Sequence, residues 1–342
     1  MDNSCDLLEN YYLRNDKYME NLVKLRTLGK SDLEVSALGL GCWQFSQAKG
    51  FVGKFWPTLS FNEIVEIVKI SVSGGINWFD TAEVYGWGES ERELSRALHE
   101  LKQHPGDVYI ATKWWPLFRT SKTLHQSAEK SLKALDGFPI DLYQIHNPLS
   151  FSSLMSLSKD MSALVKDKKI RYVGVSNYSA EQMRKMHDYL SDYGISLISN
   201  QVEYNLLNRK IERNGVLETA KELGISIIAY SPLAQGLLSG KFHDNPDLIN
   251  DRPGYRKRKP QFKRRGLAKS KPLINLLKEI ANQYKSTPSQ IALNWLIHYH
   301  GDIVVAIPGS TILNQARENV GALQFQLETE AMERLADISG GL

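Results

Sequence analysis

Four proton-handling side chains stand where short apolar runs stop. Asp80 closes Trp78-Phe79-Asp80 and precedes Tyr85 in Thr81-Ala82-Glu83-Val84-Tyr85-Gly86; Lys113 closes Ala111-Thr112-Lys113; His146 closes Gln144-Ile145-His146. A phenol of pKa about 10 is a reluctant acid at neutral pH, and a nearby ammonium favours phenolate, so Lys113 is expected to lower the pKa of Tyr85. A desolvated lysine tends to lose its own proton unless a carboxylate holds it, the role expected of Asp80. His146 can then hydrogen-bond a carbonyl oxygen beside the phenol, and both donors would stabilise the alkoxide that forms when hydride reaches carbon. The predicted chemistry is carbonyl reduction with Tyr85 as general acid and no metal. Taken singly, a strand-end histidine reads as structural and a buried tyrosine as a core aromatic. Their occurrence together at the ends of three successive runs is what points to a site.

The elements that must carry these residues repeat in a strand-helix rhythm. Strands are predicted at Ser36 to Gly41, Trp78 to Asp80, Val108 to Lys113, Leu142 to His146, Tyr172 to Ser176, Ser199 to Glu203, Ser226 to Tyr230 and Ile303 to Ile307. Helices are predicted between them, at Phe61 to Ser73, Glu89 to Leu101, Ser121 to Leu135, Leu154 to Lys168, Ala180 to Tyr193 and Gly215 to Leu223. A parallel neighbour is reached only by such a crossover, so eight units imply an α/β fold of the (β/α)8 TIM-barrel kind, with its site at the C-terminal ends of the strands. An open, doubly wound sheet is disfavoured because Gly39-Leu40-Gly41 lacks the third glycine and the following helix of a dinucleotide fingerprint. Leu25 to Leu28 and Leu33 to Val35 flank Gly29-Lys30-Ser31-Asp32, which predicts a hairpin ahead of the barrel. Pro232 to Lys271, after the seventh strand, has little periodicity and reads as a long functional loop.

Composition narrows the class. With 42% hydrophobic and 23% charged residues over 342 positions, the chain can bury a sizeable core. Residues 1 to 23 read as an N-terminal extension, expected to be mobile, and 24 to 342 as one barrel domain. The first 22 residues carry acids and lack the basic start and apolar stretch of a secretory signal, and no run is long enough to span a bilayer, which predicts a cytoplasmic address. Cys5 and Cys42 make neither a disulfide framework nor a metal-ligand spacing. Ten Lys or Arg fall between Arg252 and Lys271 against a net charge of +4, leaving the rest of the chain net negative. That run could grip nucleic acid, an anionic surface or a phosphorylated cofactor, or be a solvated loop; without interleaved aromatics beyond Tyr255 and Phe262, no nucleic-acid partner is expected.

From Lys24 to Ile338 the chain resembles an aldo-keto reductase. The resemblance rests on Gly39-Leu40-Gly41-Cys42-Trp43, Phe79-Asp80-Thr81-Ala82-Glu83-Val84-Tyr85-Gly86, Ala111-Thr112-Lys113, Asp141-Leu142-Tyr143-Gln144-Ile145-His146, Val173-Gly174-Val175-Ser176-Asn177 and Ala229-Tyr230-Ser231-Pro232-Leu233, in that order. It implies that Asp80, Tyr85, Lys113 and His146 form the catalytic tetrad and that a nicotinamide dinucleotide is bound. Ser176, Asn177 and Gln201 would hold the carboxamide, and Tyr230 would stack on the nicotinamide ring. Ser231, Leu233, Gln235, Gly236 and Lys241 would lie over the pyrophosphate. The adenosine end would meet Ile307, Gly309, Ser310 and Thr311, then Gln315, Glu318 and Asn319 of the following helix. Many members carry a basic residue where this chain has Gly309; NADPH is the expected cofactor and NADH the alternative, with Ser310, the helix start or the basic loop near Arg256 to Arg265 as substitutes for the missing clamp. Trp43, Trp87, Trp114 and Trp115 fall just beyond strand ends and are expected to line an apolar pocket for a small carbonyl substrate. The competing reading is a cofactor-binding regulatory subunit similar to potassium-channel β subunits; those relatives commonly lack the histidine that this chain keeps at His146.

Overall fold

The computed structural model describes residues 23–250 and 258–341. Cys5, the N-terminal extension as far as residue 22 and the part of the basic run at 251–257 lie outside the described residues.

Eight parallel strands succeed one another in space as in sequence: β3 (Leu40–Gly41), β4 (Trp78–Asp80), β5 (Tyr109–Trp114), β6 (Leu142–Ile145), β7 (Tyr172–Ser176), β8 (Leu197–Glu203), β9 (Ser226–Tyr230) and β10 (Val304–Ala306). The sheet closes on itself. Leu38 bridges Ala306 and Gly41 bridges Gly309, with the Gly39 N–H donating to Ala306 O at 2.8 Å and the Ala306 N–H to Ala37 O at 3.0 Å. The predicted first strand is divided: Ser36 belongs to the preceding hairpin, because Asn77 and Trp78 take up its backbone groups. Its N–H donates to Asn77 Oδ1 at 2.8 Å and its carbonyl accepts from Trp78 Nε1 at 2.9 Å.

The hairpin of β1 (Leu25–Thr27) and β2 (Glu34–Ser36) pairs Leu25 with Ser36 and Thr27 with Glu34 across the predicted turn. It plugs the N-terminal end of the barrel. Leu28, Leu33 and Val35 are buried in one cluster with the inward-facing Trp78, Ala111, Leu142, Ile198, Ile228 and Val305. Gly29 is required at that plug, since a Cβ there would stand 2.2 Å from Ile198 O and its φ is +57°. A second, larger cluster fills the space between the outward faces of the strands and the helices.

Helices arise where polar capping residues precede apolar stripes. Ser60 and Glu63 form a capping box ahead of Phe61–Ser73, as Ser179 and Gln182 do ahead of Ala180–Ser191 and Thr287 and Gln290 ahead of Pro288–His298. The stretch after β9 is not loop throughout. It carries short helical turns at Ala234–Ser239, Lys241–Asp244 and Pro246–Ile249, and a 20-residue helix begins at Arg264. That helix buries Leu267, Leu273, Ile274 and Leu277 on one face, and its crowd of surface cations hid the stripe from a reading by composition. Among the described residues no helix is long and apolar enough to cross a membrane.

Candidate active site

Successive side chains of a strand point to opposite faces, so every second residue of a barrel strand enters the interior. Asp80 on β4, Lys113 on β5, Gln144 on β6, Ser176 on β7 and Tyr230 on β9 share that parity with the inward Trp78, Ala111, Leu142 and Ile228, whereas Gln201 on β8 turns inward three residues after the inward Ile198, because the β7–β8 register shifts between Val173 and Gly174. Lys113 Nζ donates to Asp80 Oδ1 at 2.5 Å and to Thr81 O at 2.8 Å, and both partners of the ion pair are fully buried. The second Asp80 oxygen accepts from Gln201 Nε2 at 2.8 Å and from Gln144 Nε2 at 3.1 Å.

Tyr85 is carried by the turn after β4, its N–H donating to Ala82 O at 3.0 Å. Gly86 makes the turn close: its φ is +67°, and a Cβ there would lie 2.4 Å from Ser46 O. The Lys113 ammonium stands 5.0 Å from the centre of the Tyr85 ring and donates to its hydroxyl oxygen. The His146 ring meets the Tyr85 ring edge-on, with centroids 5.6 Å apart. All four predicted catalytic side chains therefore converge.

The electrostatics correct one expectation. Burial raises the Tyr85 pKa above the ordinary phenol value, and the lowering exerted by Lys113 does not overcome it. Lys113 itself is raised: burial works against its charge, but Asp80 and Tyr85 together more than compensate. His146 is pushed well below its usual value by burial and then by the Lys113 charge, so its imidazole is neutral at physiological pH. Its Nδ1 is buried with no hydrogen-bond partner among the described residues. Burial and the Asp80 carboxylate hold the Cys42 thiol protonated.

The residues expected to hold a cofactor lie at the C-terminal ends of β7 to β9 and in the segments that follow β9 and β10. Ser176 Oγ donates to Gln201 O at 2.8 Å; Asn177, left-handed at φ 61°, donates from Nδ2 to Ser176 Oγ at 3.0 Å and accepts from Tyr230 OH at 3.1 Å. Beyond Tyr230, Ser231, Ala234, Gln235 and Gly236 all have positive φ, and the Lys241 Nζ lies 3.6 Å from where a Gly236 Cβ would stand. The Gln235 Oε1 is buried there without a partner among the described residues, while Leu233 O accepts the Gly236 N–H at 2.9 Å. At the far end Ile307 packs into the inner barrel cluster rather than standing clear. Gly309 is pressed against Gln44, whose amide Nε2 lies 2.2 Å from any Cβ placed there, so a side chain at that position would require the Gln44 amide to move. Ser310 is buried and accepts from Asn319 Nδ2 at 3.2 Å, Gln315 Oε1 accepts the Thr311 N–H at 2.8 Å, and Glu318 accepts from Asn314.

The four tryptophans separate. Trp43 stacks on Tyr85 at 5.8 Å and on Phe55 at 4.9 Å, and Trp115 meets the His146 ring at 5.0 Å, so both flank the phenol–imidazole pair. Trp87 stands 66% exposed on the rim. Trp114 is not in the mouth: it follows Lys113 and faces the other way, fully buried with its Nε1 donating to Thr123 Oγ1 at 3.1 Å. Phe55 and Trp56, which pack edge to face at 5.2 Å beside Trp43, were missed because they sit in irregular chain without a period. Gln144 was missed too, although its inward parity two residues before His146 was readable.

A closed eight-stranded barrel with a buried lysine and aspartate and a half-buried tyrosine and histidine at its C-terminal mouth defines an oxidoreductase of the carbonyl-reducing barrel class. Residues 37–339 match the sequence profile of the Aldo/keto reductase family, and the chain belongs to that family. An uncharacterized oxidoreductase of Mycobacterium tuberculosis is 35% identical over 304 residues, 89% of each chain. Among solved structures, a thermostable aldo-keto reductase in complex with the inhibitor epalrestat superposes with a TM-score of 0.73 at 31% identity, covering 92% of this chain and 99% of that one. An aldo/keto reductase from Klebsiella pneumoniae in complex with NADP and acetate does so with a TM-score of 0.69 at 25% identity, covering 92% and 95%.

Proposed function

We propose that this protein reduces aldehydes or ketones to alcohols using NADPH, with Tyr85 as the general acid. The reading is carried by the buried chain from Asp80 through Lys113 to Tyr85, with neutral His146 beside the phenol. Bound NADPH would supply the hydride. The fit of this chain to such a group is supported by its donor set: a carboxamide would meet Asn177 and Gln201, and the positive-φ turn at Ala234 to Gly236, with Lys241 over it, suits a pyrophosphate. That the Klebsiella relative was solved with NADP supports the choice of cofactor. With no basic side chain at Gly309, the 2′-phosphate falls to Thr311 and to the start of the helix Leu313–Gly321, which no side chain caps among the described residues.

The roles follow from protonation. Because Lys113 already donates to the phenol oxygen, the Tyr85 hydrogen is available to a ligand. Burial keeps that hydrogen in place through neutral pH. An alkoxide is a stronger base than a phenolate, so transfer runs downhill even from a phenol of raised pKa, and Lys113 stabilises the phenolate left behind. His146, neutral, donates one N–H to the carbonyl oxygen and fixes its direction. Trp43, Trp115, Phe55 and Trp56 give the substrate an apolar wall.

Purified protein supplied with 4-nitrobenzaldehyde should consume NADPH, read by its absorbance. The rate should hold through neutral pH and fall only as pH climbs past the ordinary phenol range, where Tyr85 loses its proton. NADPH binding without turnover of any aldehyde or ketone would favour the regulatory-subunit reading instead.

A further inference from the structure

The interior above the ion pair contains two buried amides whose arrangement is constrained by counting hydrogens. Gln201 Nε2 carries two, and both are used: one goes to Asp80 Oδ2 at 2.8 Å and one to Gln144 Oε1 at 3.2 Å. Gln144 Nε2 gives one of its own to the same Asp80 oxygen at 3.1 Å. Turning the Gln201 amide over would set its carbonyl oxygen against the Asp80 carboxylate, and turning Gln144 would set its NH2 against that of Gln201. Either clash would occur at residues no more than 3% exposed, where no water can relieve it. The orientation is therefore dictated by the Asp80 charge and passed on from one amide to the next. It leaves Gln201 with a single unused group, Oε1, which accepts from no donor among the described residues.

We infer that Gln144 is a positioning residue that locks the Gln201 amide with its carbonyl oxygen presented to the cofactor, tying the carboxamide end of the site to the Asp80–Lys113–Tyr85 relay. The inference rests on the nicotinamide reading above and adds a residue to it. A locked Oε1 accepts an N–H and rejects another carbonyl, so it selects the amino side of a nicotinamide carboxamide and thereby the face of the ring turned to the substrate. Gln144 itself does not touch the ligand; it acts through Gln201.

The test separates the two ends of the dinucleotide. Gln144→Met keeps the volume and removes the amide. Titrated by tryptophan fluorescence, it should bind NADPH about tenfold more weakly, the worth of one hydrogen bond, with KM for NADPH rising accordingly. Its affinity for 2′,5′-ADP, which carries only the adenosine end, should stay within about twofold of wild type. In a Gln201→Met background the same substitution should add nothing further, because the residue through which it acts is gone. Gln144→Asn, which keeps an amide but withdraws it from both partners, serves should the methionine variant not fold by circular dichroism, and the same result is expected. Equal loss for both ligands, unchanged NADPH affinity, or full additivity with Gln201→Met would each overturn the inference. Wild-type protein that binds 2′,5′-ADP and NADPH with no measurable affinity would instead bring down the proposed function, and the inference with it.

Discussion

Two clusters in this molecule hold the same four chemical types, and only one of them is arranged to act. At the mouth are Tyr85, Asp80, Lys113 and His146. Beyond β8 are Tyr204, Glu212, Arg209 and His300. In the second cluster Tyr204 OH donates to Glu212 Oε1 at 2.6 Å, Arg209 grips the same carboxylate through Nε at 2.9 Å and Nη2 at 2.7 Å, and His300 Nε2 lies 3.2 Å from it. Arg209 also reaches Ala336 O at 2.5 Å and Ser339 Oγ at 2.9 Å, and its guanidinium lies 5.2 Å from the centre of the Trp295 ring. That set fastens the C-terminal helix Thr329–Gly340 to the barrel.

The contrast lies in where the phenol hydrogen goes. Tyr204 spends its hydrogen on a carboxylate, whereas Tyr85 receives a hydrogen bond from an ammonium and keeps its own to give. The carboxylate of the other cluster is meanwhile taken up by Tyr204 and by two nitrogens of Arg209. Residue types alone thus do not define a catalytic set; an unspent donor facing an opening does.

Five experiments would sharpen or break this contrast. The largest effect is expected from Tyr85→Phe, which should lower turnover by about two to four orders of magnitude with unfolding in urea little changed. Tyr204→Phe should do the reverse, and equal losses of activity in the two variants would erase the distinction. Next, Lys113→Met leaves Asp80 as an uncompensated buried charge and should cost about 3–5 kcal/mol in urea unfolding as well as activity. Arg209→Ala should cost less, about 1.5–3 kcal/mol, since its partners are nearer solvent, and should leave KM unchanged in steady-state assays. The smallest effect is one of pH. Glu212 is held down to about 2 by His300, Arg209 and Tyr204 against the opposing pull of burial. Its contribution is complete above the ordinary carboxylate range and is withdrawn as pH falls through that range toward about 2. The urea midpoint of the wild type should accordingly drop more steeply over that interval than that of Glu212→Gln.

Much of the site was legible because a strand has a period of two and a barrel turns one parity inward. That rule places Asp80, Lys113, Ser176 and Tyr230 together, and it also shows why grouping Trp114 with Trp115 was an error, since the neighbour of an inward lysine must face out. Other features were illegible for a different reason. Phe55 and Trp56 pack beside Trp43 from a segment with no repeat to read, and the helix beginning at Arg264 was masked by the cations on its outer face.

The linear chain by itself determined the barrel, the plug at its base and the strand ends on which the proposed tetrad stands, because alternation and strand-helix rhythm are local properties carried by neighbouring residues. Tertiary structure alone decided how those groups ionise and which way the amides turn. Tyr85 holds its proton because packing removes water from around it, and Gln201 is oriented by Asp80, 121 residues away in sequence, through a contact that only closure of the barrel creates.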